Sequence, residues 1–183
     1  MKPAFTRPIG FAARAILAAA LLHVGVSAAA GEPAYVSLKE IREHGVVMQK
    51  WETSCAAASI ATVLTYAFHD PVSERDAAAA MLERTDPAKV RAQGGFSLLD
   101  LKRYVEGRGF VGAAYRRLGF DDLRLFRAPI VAINEFGYPH YVVFDGVHDD
   151  VVRLADPAFG NRELTRSAFE AAWIDGLAFV VNR

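Results

Sequence analysis

The single cysteine of the sequence, Cys55, is the side chain best suited to nucleophilic chemistry. It opens an apolar, helix-forming run that ends at Phe68, and Thr53 and Ser54 before it are candidate N-caps. In a first helical turn the backbone N–H groups lack partners and the helix dipole is positive, so this position favours a thiolate. The N–H of Cys55 would also be available to an oxyanion. The alternative is an inert core residue, because cysteine is among the most often buried residue types.

A histidine and an aspartate occur where they could serve this sulfur. His140 begins a strand-like segment, and Asp156 ends the next one. If the turn between the strands lies near Asp149, the two residues lie roughly opposite each other, within side-chain reach. A carboxylate on one ring nitrogen would set the tautomer and leave the other nitrogen for the sulfur. Taken alone, His140 could equally be a surface residue and Asp156 a turn former before Pro157.

An amide is the fourth candidate. Gln49 lies six positions before Cys55 and could turn its N–H toward a charge that develops next to the sulfur. Alone it is uninformative. The histidines show no metal-ligand spacing such as i, i+4 on one helix, so we expect neither a metal site nor a cofactor.

The first half of the chain is expected to be helical. Apolar spacing and capping residues predict a buried helix at Cys55–Phe68, a second at Asp76–Glu83 and a third after Ser97, with Gly94 and Gly95 in a loop before it. No repeat or linker interrupts the sequence, which indicates one domain over residues 31–183.

The second half is expected to form a sheet, because β-branched and aromatic residues predominate in it. Strands are predicted at Phe110–Leu118, Ile130–Asn134, His140–Val147, Val151–Ala155 and Leu177–Val181, helices at Gly119–Phe126 and Thr165–Trp173, and a loop from Asp156 through Gly160. Helices followed by a meander of strands are typical of an α+β fold, with an antiparallel sheet packed on a helical half.

These segments together resemble one family. They are Gln49-Lys-Trp-Glu-Thr-Ser-Cys55-Ala-Ala-Ala-Ser, Gly94-Gly95-Phe96-Ser97 with Asp100-Leu101, His140-Tyr141-Val142-Val143, Asp156-Pro157-Ala158-Phe159-Gly160, then Phe169 and Trp173. In this order they resemble the papain-like cysteine peptidases that cut bacteriocin and other peptide leaders after a double glycine. The resemblance covers about residues 44 to 183.

The resemblance implies a papain-like fold, with the cysteine on a helical half and the histidine and aspartate on an antiparallel sheet. It assigns catalytic roles to Cys55, His140, Asp156 and Gln49.

Other residues are assigned less directly. Trp51, Gly94 and Gly95 are candidates for the wall of the substrate cleft. Members fused to transporters carry an acid before the cysteine and a glycine after it, whereas Ser54 and Ala56 stand here. The chain looks more like stand-alone exported relatives beside secretion systems, including those for amyloid or pilus-like fibres.

Residues 1–30 have the pattern of an export signal. Lys2, Arg7 and Arg14 form a basic start, an apolar stretch runs from Ala15 to Val26, and small residues follow up to Ala30. The stretch is shorter than the ~20 residues that cross a bilayer. Removal of residues 1–30 takes away three of the 21 basic side chains and none of the 21 acidic ones, which leaves a formal net charge of −3.

These expectations define two hypotheses about function. In the first, the chain is a periplasmic or secreted cysteine endopeptidase that acts on a peptide or protein, such as a leader-bearing or fibre-forming polypeptide, beside a secretion-system partner. In the second, it is a non-hydrolytic docking module of a secretion apparatus. The balanced charge argues against nucleic acid as a partner, and no stable membrane insertion is expected after signal cleavage.

Overall fold

Six α-helices and six β-strands occur in residues 35–183, which the computed structural model describes. The predicted export signal, residues 1–30, lies outside this range. The helices are α1 (Leu38–Glu43), α2 (Cys55–Thr62), α3 (Glu74–Leu82), α4 (Pro87–Gln93), α5 (Leu98–Gly107) and α6 (Arg166–Ala172). The strands are β1 (Val111–Tyr115), β2 (Ile130–Glu135), β3 (Tyr138–His148), β4 (Val151–Asp156), β5 (Gly160–Thr165) and β6 (Trp173–Asn182). A π-helical turn at Val63–Ala67 extends α2, and a 3₁₀ helix spans Phe120–Leu125.

The six strands form one antiparallel sheet in the order β1-β6-β2-β3-β4-β5. The last strand, β6, lies between β1 and β2, so the sheet is not a simple meander. Helices before an antiparallel sheet confirm the predicted α+β class. Residues from Val36 onward form one compact unit.

Apolar side chains pack on both faces of the sheet. Alternate residues of each strand point to opposite faces, and Val143 joins one core cluster while its neighbours Val142 and Phe144 join the other. The first cluster contains the buried side chains of α2, and the second contains Phe169 of α6. The sheet therefore holds its site-bearing strands between two cores.

Helix α2 is the most deeply buried helix. All eight of its residues are buried, as expected from the alanines and Ile60 in this run. The predicted helix at Cys55–Phe68 is confirmed, but its last turn, Val63–Ala67, is π-helical. A fully enclosed helix gives its first residue, Cys55, a fixed place in the fold.

Two elements were missed by the sequence interpretation. Helix α4 lies in the predicted loop before Gly94, although Asp86 caps it through a bond to the N–H of Ala88 and Pro87 stands in its first turn. Strand β5 lies in the loop predicted after Asp156. Its exposed positions carry polar residues because it is an edge strand, which hides the apolar signal of a strand. No helix of residues 35–183 is long and apolar enough to span a membrane.

Candidate active site

The sulfur of Cys55 lies at the first residue of α2 and is 6% exposed. Ser54 occupies the N-cap position, but its hydroxyl makes no capping bond to the helix. The predicted N-cap position is therefore correct for Ser54, but the residue does not cap the helix through its side chain. The hydroxyl instead donates to the carbonyl of Trp51, 2.7 Å away, and also contacts Glu74. Without a side-chain cap, the first N–H groups of the helix remain available beside the sulfur.

A buried carboxylate holds the turn that leads into α2. Glu74, the first residue of α3, is 3% exposed, and its Oε1 accepts the N–H of Lys50 at 2.8 Å as well as contacting the Ser54 hydroxyl. Glu74 thus contacts both ends of the segment 50–54. Because charge-assisted bonds are strong, this contact fixes the path between Gln49 and Cys55.

Gln49 lines the same cleft as Cys55 and His140. Its side-chain Nε2 donates to the carbonyl of Trp51 at 3.2 Å, and an amide nitrogen has a second N–H to offer. Its backbone N–H donates to the carbonyl of Pro157 at 2.8 Å, directly after Asp156. The loop before the cysteine is thereby tied to the turn after the aspartate.

His140 and Asp156 are in direct contact. Nε2 of the histidine lies 2.8 Å from Oδ1 of the aspartate, so Nδ1 is left for another partner. The predicted pairing is correct, but the predicted register is not. Val143 pairs with Ala155 after a bulge between Phe144 and Gly146, so position 156 lies across from position 142 and contacts His140 diagonally.

The sulfur and the imidazole come together where α2 meets β3. Ser59, one turn after Cys55, donates its hydroxyl to the carbonyl of Tyr141 at 3.0 Å and so joins the helix to the residue after His140. Burial of the ring opposes protonation of His140, but hydrogen bonds from its ring to Asp156 and Cys55, and the charges of both, raise its pKa to about 9. The arrangement favours the protonated form of the His140 ring.

Asp156 is fully buried and nevertheless ionised. Burial alone would raise its pKa, but the bond and charge of His140, the N–H of Ala158 and the charge of Arg162 together lower it. Arg162, on β5, places its Nε 3.0 Å from Oδ2 of the aspartate, an ion pair whose geometry falls short of a hydrogen bond.

Gln49, Cys55 and His140 line a cleft of about 760 Å³. Gly94 and Gly95 line it, as predicted for the wall. A Cβ on Gly95, whose φ is +150°, would lie 3.0 Å from the carbonyl oxygen of Thr53, so glycine lets the two walls approach closely. Trp51 is placed differently: its exposed side chain lines a neighbouring pocket of about 190 Å³, which shares Phe96 with the cleft.

Sequence reasoning missed two charged residues at this site, Glu74 and Arg162. Their partners lie 24 positions away at Lys50 and 27 positions away at Glu135. No local pattern marks such contacts, because they depend on which elements pack together. In residues 35–183, no group of three or more His, Cys, Asp or Glu side chains could hold a metal ion.

The fold and the meeting of a helix-borne cysteine with a sheet-borne histidine and aspartate define the class of papain-like cysteine peptidases. Residues 43–183 match the Peptidase C39 family, and the chain belongs to that family. The predicted family resemblance is confirmed.

Two relatives from pseudomonads are similar over most of the described range. A probable functional amyloid protease, FapD, of Pseudomonas fluorescens is 40% identical over 146 residues, which are 79% of this chain and 63% of that relative. The probable functional amyloid protease FapD of Pseudomonas aeruginosa is 37% identical over the same shares. The chain thus matches 63% of the length of each of these relatives.

Solved structures share the fold. A double glycine motif protease from an AMS/PCAT transporter, in complex with a leader peptide, aligns with a TM-score of 0.62 at 22% identity, over 75% of this chain and 89% of that one. The peptidase domain of Streptococcus ComA aligns with a TM-score of 0.61 at 22% identity, over 75% and 96%. The predicted papain-like fold is confirmed.

Proposed function

We propose that the chain is an exported cysteine endopeptidase that cuts a peptide or protein substrate. The observation that supports this most is that Cys55 and His140 line one cleft, with the buried Asp156 bonded to His140 and the cysteine at the start of a helix. A docking module would need a cleft, but it would not need an ionised aspartate behind a histidine whose pKa is raised beside a sulfur.

The first step is attack by sulfur. His140 holds the proton of Cys55, and the thiolate adds to the scissile carbonyl carbon to form a tetrahedral intermediate. Asp156 accepts the Nε2–H bond, so the ring keeps the orientation that presents Nδ1 toward the sulfur.

The second step is stabilisation and collapse of that intermediate. The N–H of Cys55 and the free N–H of Gln49 donate to the oxyanion, a contribution of about 3 kcal/mol per donor in comparable enzymes. His140 then protonates the leaving amine, and an acyl-enzyme thioester remains. Water, deprotonated by the same imidazole, hydrolyses the thioester and restores the thiol.

The setting we propose is a bacterial secretion or fibre-export system, with the enzyme in the periplasm or outside the cell. The names of the two FapD relatives, probable functional amyloid proteases, support a fibre-forming polypeptide as substrate. The bound leader peptide of the transporter protease supports an extended segment in the cleft. The basic, apolar and small-residue pattern of residues 1–30 supports export.

The test is substrate trapping. The Cys55→Ala variant, expressed in the native host in place of the wild type, should retain uncut substrate for capture and identification by mass spectrometry. The exported polypeptides of wild-type cells should show one new terminus that the variant lacks. Captured polypeptides with no change in any terminus would contradict the peptidase and favour the docking module.

A further inference from the structure

We infer that Arg162 is a positioning residue for the proposed triad, holding Asp156 in its charged form and in its place, and that Glu135 holds Arg162. This inference rests on the proposed function, because it concerns how the same cysteine and histidine are kept reactive. It differs from the proposed function in what it predicts for the pH profile of Cys55 reactivity. Substitution of Arg162 should shift the acid limb of that profile, and substitution of Glu135 should shift the alkaline limb.

The two oxygens of Asp156 have separate tasks. Oδ1 accepts three donors: Nε2 of His140 at 2.8 Å, the N–H of Ala158 at 2.8 Å and that of Phe159 at 3.3 Å. Oδ2 faces Arg162 Nε at 3.0 Å. Without the guanidinium, this oxygen would be fully buried with no partner of its own, and His140 alone would supply the opposite charge, which disfavours the ionised form of Asp156.

Arg162 is itself held on two sides. Both of its terminal nitrogens bond the carboxylate of Glu135, the last residue of β2, and its guanidinium lies 5.3 Å from the ring centre of Phe159. The Arg162 side chain is 23% exposed and that of Glu135 is 19% exposed, so solvent screens this pair less than a surface ion pair. A guanidinium fixed in this way has a defined orientation toward Asp156.

Glu135 has an electrostatic role as well. A lone cation beside Asp156 would oppose the imidazolium of His140, because like charges repel across a poorly solvated site. The carboxylate of Glu135 offsets that cation, so Arg162 can keep Asp156 ionised without discharging His140. The two residues therefore form a pair with no net charge. Arg162 keeps Asp156 ionised, and Glu135 keeps the charge of Arg162 from opposing protonation of His140.

Substrate in the cleft would touch the same structure. Glu135 and Phe159 both line the cleft wall, so the residues that hold Arg162 are also the ones that a bound peptide contacts. Two titratable or charged groups act directly on the His140–Asp156 pair, Cys55 of α2 on His140 and Arg162 of β5 on Asp156. Three more lie next to these groups: Glu135 of β2 pairs with Arg162, Tyr141 of β3 interacts with Cys55, and Arg42 of α1 donates to the carbonyl of Phe159.

The experiment measures the rate of Cys55 alkylation by iodoacetamide between pH 4 and 10. This readout needs no known substrate, and the chain contains one cysteine. The variants are Arg162→Met, Arg162→Lys, Glu135→Gln and, as a matched control, Arg153→Met. Arg153 is on β4 and pairs with Asp145 at 3.6 Å, where both side chains are more than half exposed.

In Arg162→Met, we expect the acid limb of the profile to move up by about one pH unit, because Asp156 takes up its proton more readily. Arg162→Lys should restore most of this shift. In Glu135→Gln, the alkaline limb should move down, because the unbalanced cation discharges His140 at lower pH. Arg153→Met should match the wild type.

Two results would overturn the inference. The first is that Arg162→Met and Glu135→Gln both fold, with the same circular dichroism as the wild type, and that the acid limb of Arg162→Met and the alkaline limb of Glu135→Gln stay where they are in the wild type. The other, if Arg162→Met does not fold, is an unmoved alkaline limb in Glu135→Gln. If instead the wild type itself reacts no faster than a free thiol at pH 6, the proposed function fails.

Discussion

The helical side and the sheet side of the site are held in place by different forces. Cys55 begins a helix whose eight residues are all buried, and Gln49 is tied by backbone bonds to Pro157 and through the turn to Glu74. His140 and Asp156 are held instead by a run of charged contacts that continues to Arg162 and Glu135.

The helical side therefore determines where the sulfur lies, and the sheet side determines the protonation of His140 and Asp156. Burial on the helical side depends little on pH, so Cys55 and the proposed oxyanion donor Gln49 should keep their positions over a wide pH range. The charges on the sheet side respond to pH and to neighbouring substitutions. We therefore expect variants on the sheet side to change the form of the pH profile, and variants on the helical side to change the rate at every pH.

The largest effect is expected for Asp156→Asn. The amide can still accept the Nε2–H bond but brings no negative charge to stabilise the imidazolium, and it leaves Arg162 facing a neutral group, so acyl transfer should fall by about 10³- to 10⁴-fold. The measurement is the burst of p-nitrophenol from p-nitrophenyl acetate, compared with alkylation of Cys55 at pH 6, and both should fall. Asp145→Asn, an exposed acid of β3, should behave as wild type; retained alkylation in Asp156→Asn would break the contrast.

Gln49→Ala should come next, with a different signature. Losing one oxyanion donor should slow acyl transfer by about 10²- to 10³-fold, while alkylation, which forms no oxyanion, should stay within about twofold. The matched control is Gln93→Ala, because Gln93 also lines the cleft. Equal losses in both reactions would show that Gln49 supports the fold rather than the oxyanion.

The third effect is on stability. Protonated His140 has a raised pKa of about 9, against about 6.5 for an unperturbed histidine, so its contribution is complete below pH 6.5 and is lost as pH rises through 9. Between pH 6 and 10, the free energy of unfolding of the wild type in urea should fall by about 3 kcal/mol more than that of His140→Gln. His148→Gln, an exposed site, is the control, and identical losses in wild type and His140→Gln would contradict the raised pKa.

Glu74→Gln should have the smallest effect. An amide keeps the contact with the Lys50 N–H but loses its charge assistance, so we expect about 1 kcal/mol less stability and a several-fold slower acyl transfer. The alkylation profile should keep its form. Glu83→Gln, an exposed position at the end of α3, is the control. If either limb of the alkylation profile shifts in Glu74→Gln, Glu74 acts on protonation as the sheet-side charges do, which would contradict the difference between the two sides of the site.

The sequence was informative where local signals coincide with the fold. The helix after Ser97 was predictable because Ser97 and Asp100 form a capping box and apolar residues follow at helical spacing. The four candidate residues Gln49, Cys55, His140 and Asp156 were proposed from their types, their order and the family resemblance. The structure places Gln49, Cys55 and His140 at one cleft and bonds Asp156 to His140. Their contacts follow from long strands and a buried helix, which single-sequence patterns predict well.

Contacts across the fold were beyond such patterns. The bulge after Phe144 shifts the strand register by one and makes the His140–Asp156 contact diagonal, and no residue type announces it. Arg162 lies in an edge strand that was not predicted, and its ion pair is with Glu135 of β2, three strands away in the sheet. These partners become visible only when the sheet order is known.

The central claim is that His140 makes Cys55 reactive, and it is tested most directly by alkylation. Iodoacetamide should react with wild-type Cys55 at pH 6 much faster than with a free thiol, because an imidazolium sustains the thiolate. In folded His140→Ala the rate at pH 6 should drop to that of a free thiol, and reactivity should return only near the free thiol pKa of about 8.5. Equal rates at pH 6 for the wild type and His140→Ala would contradict the account.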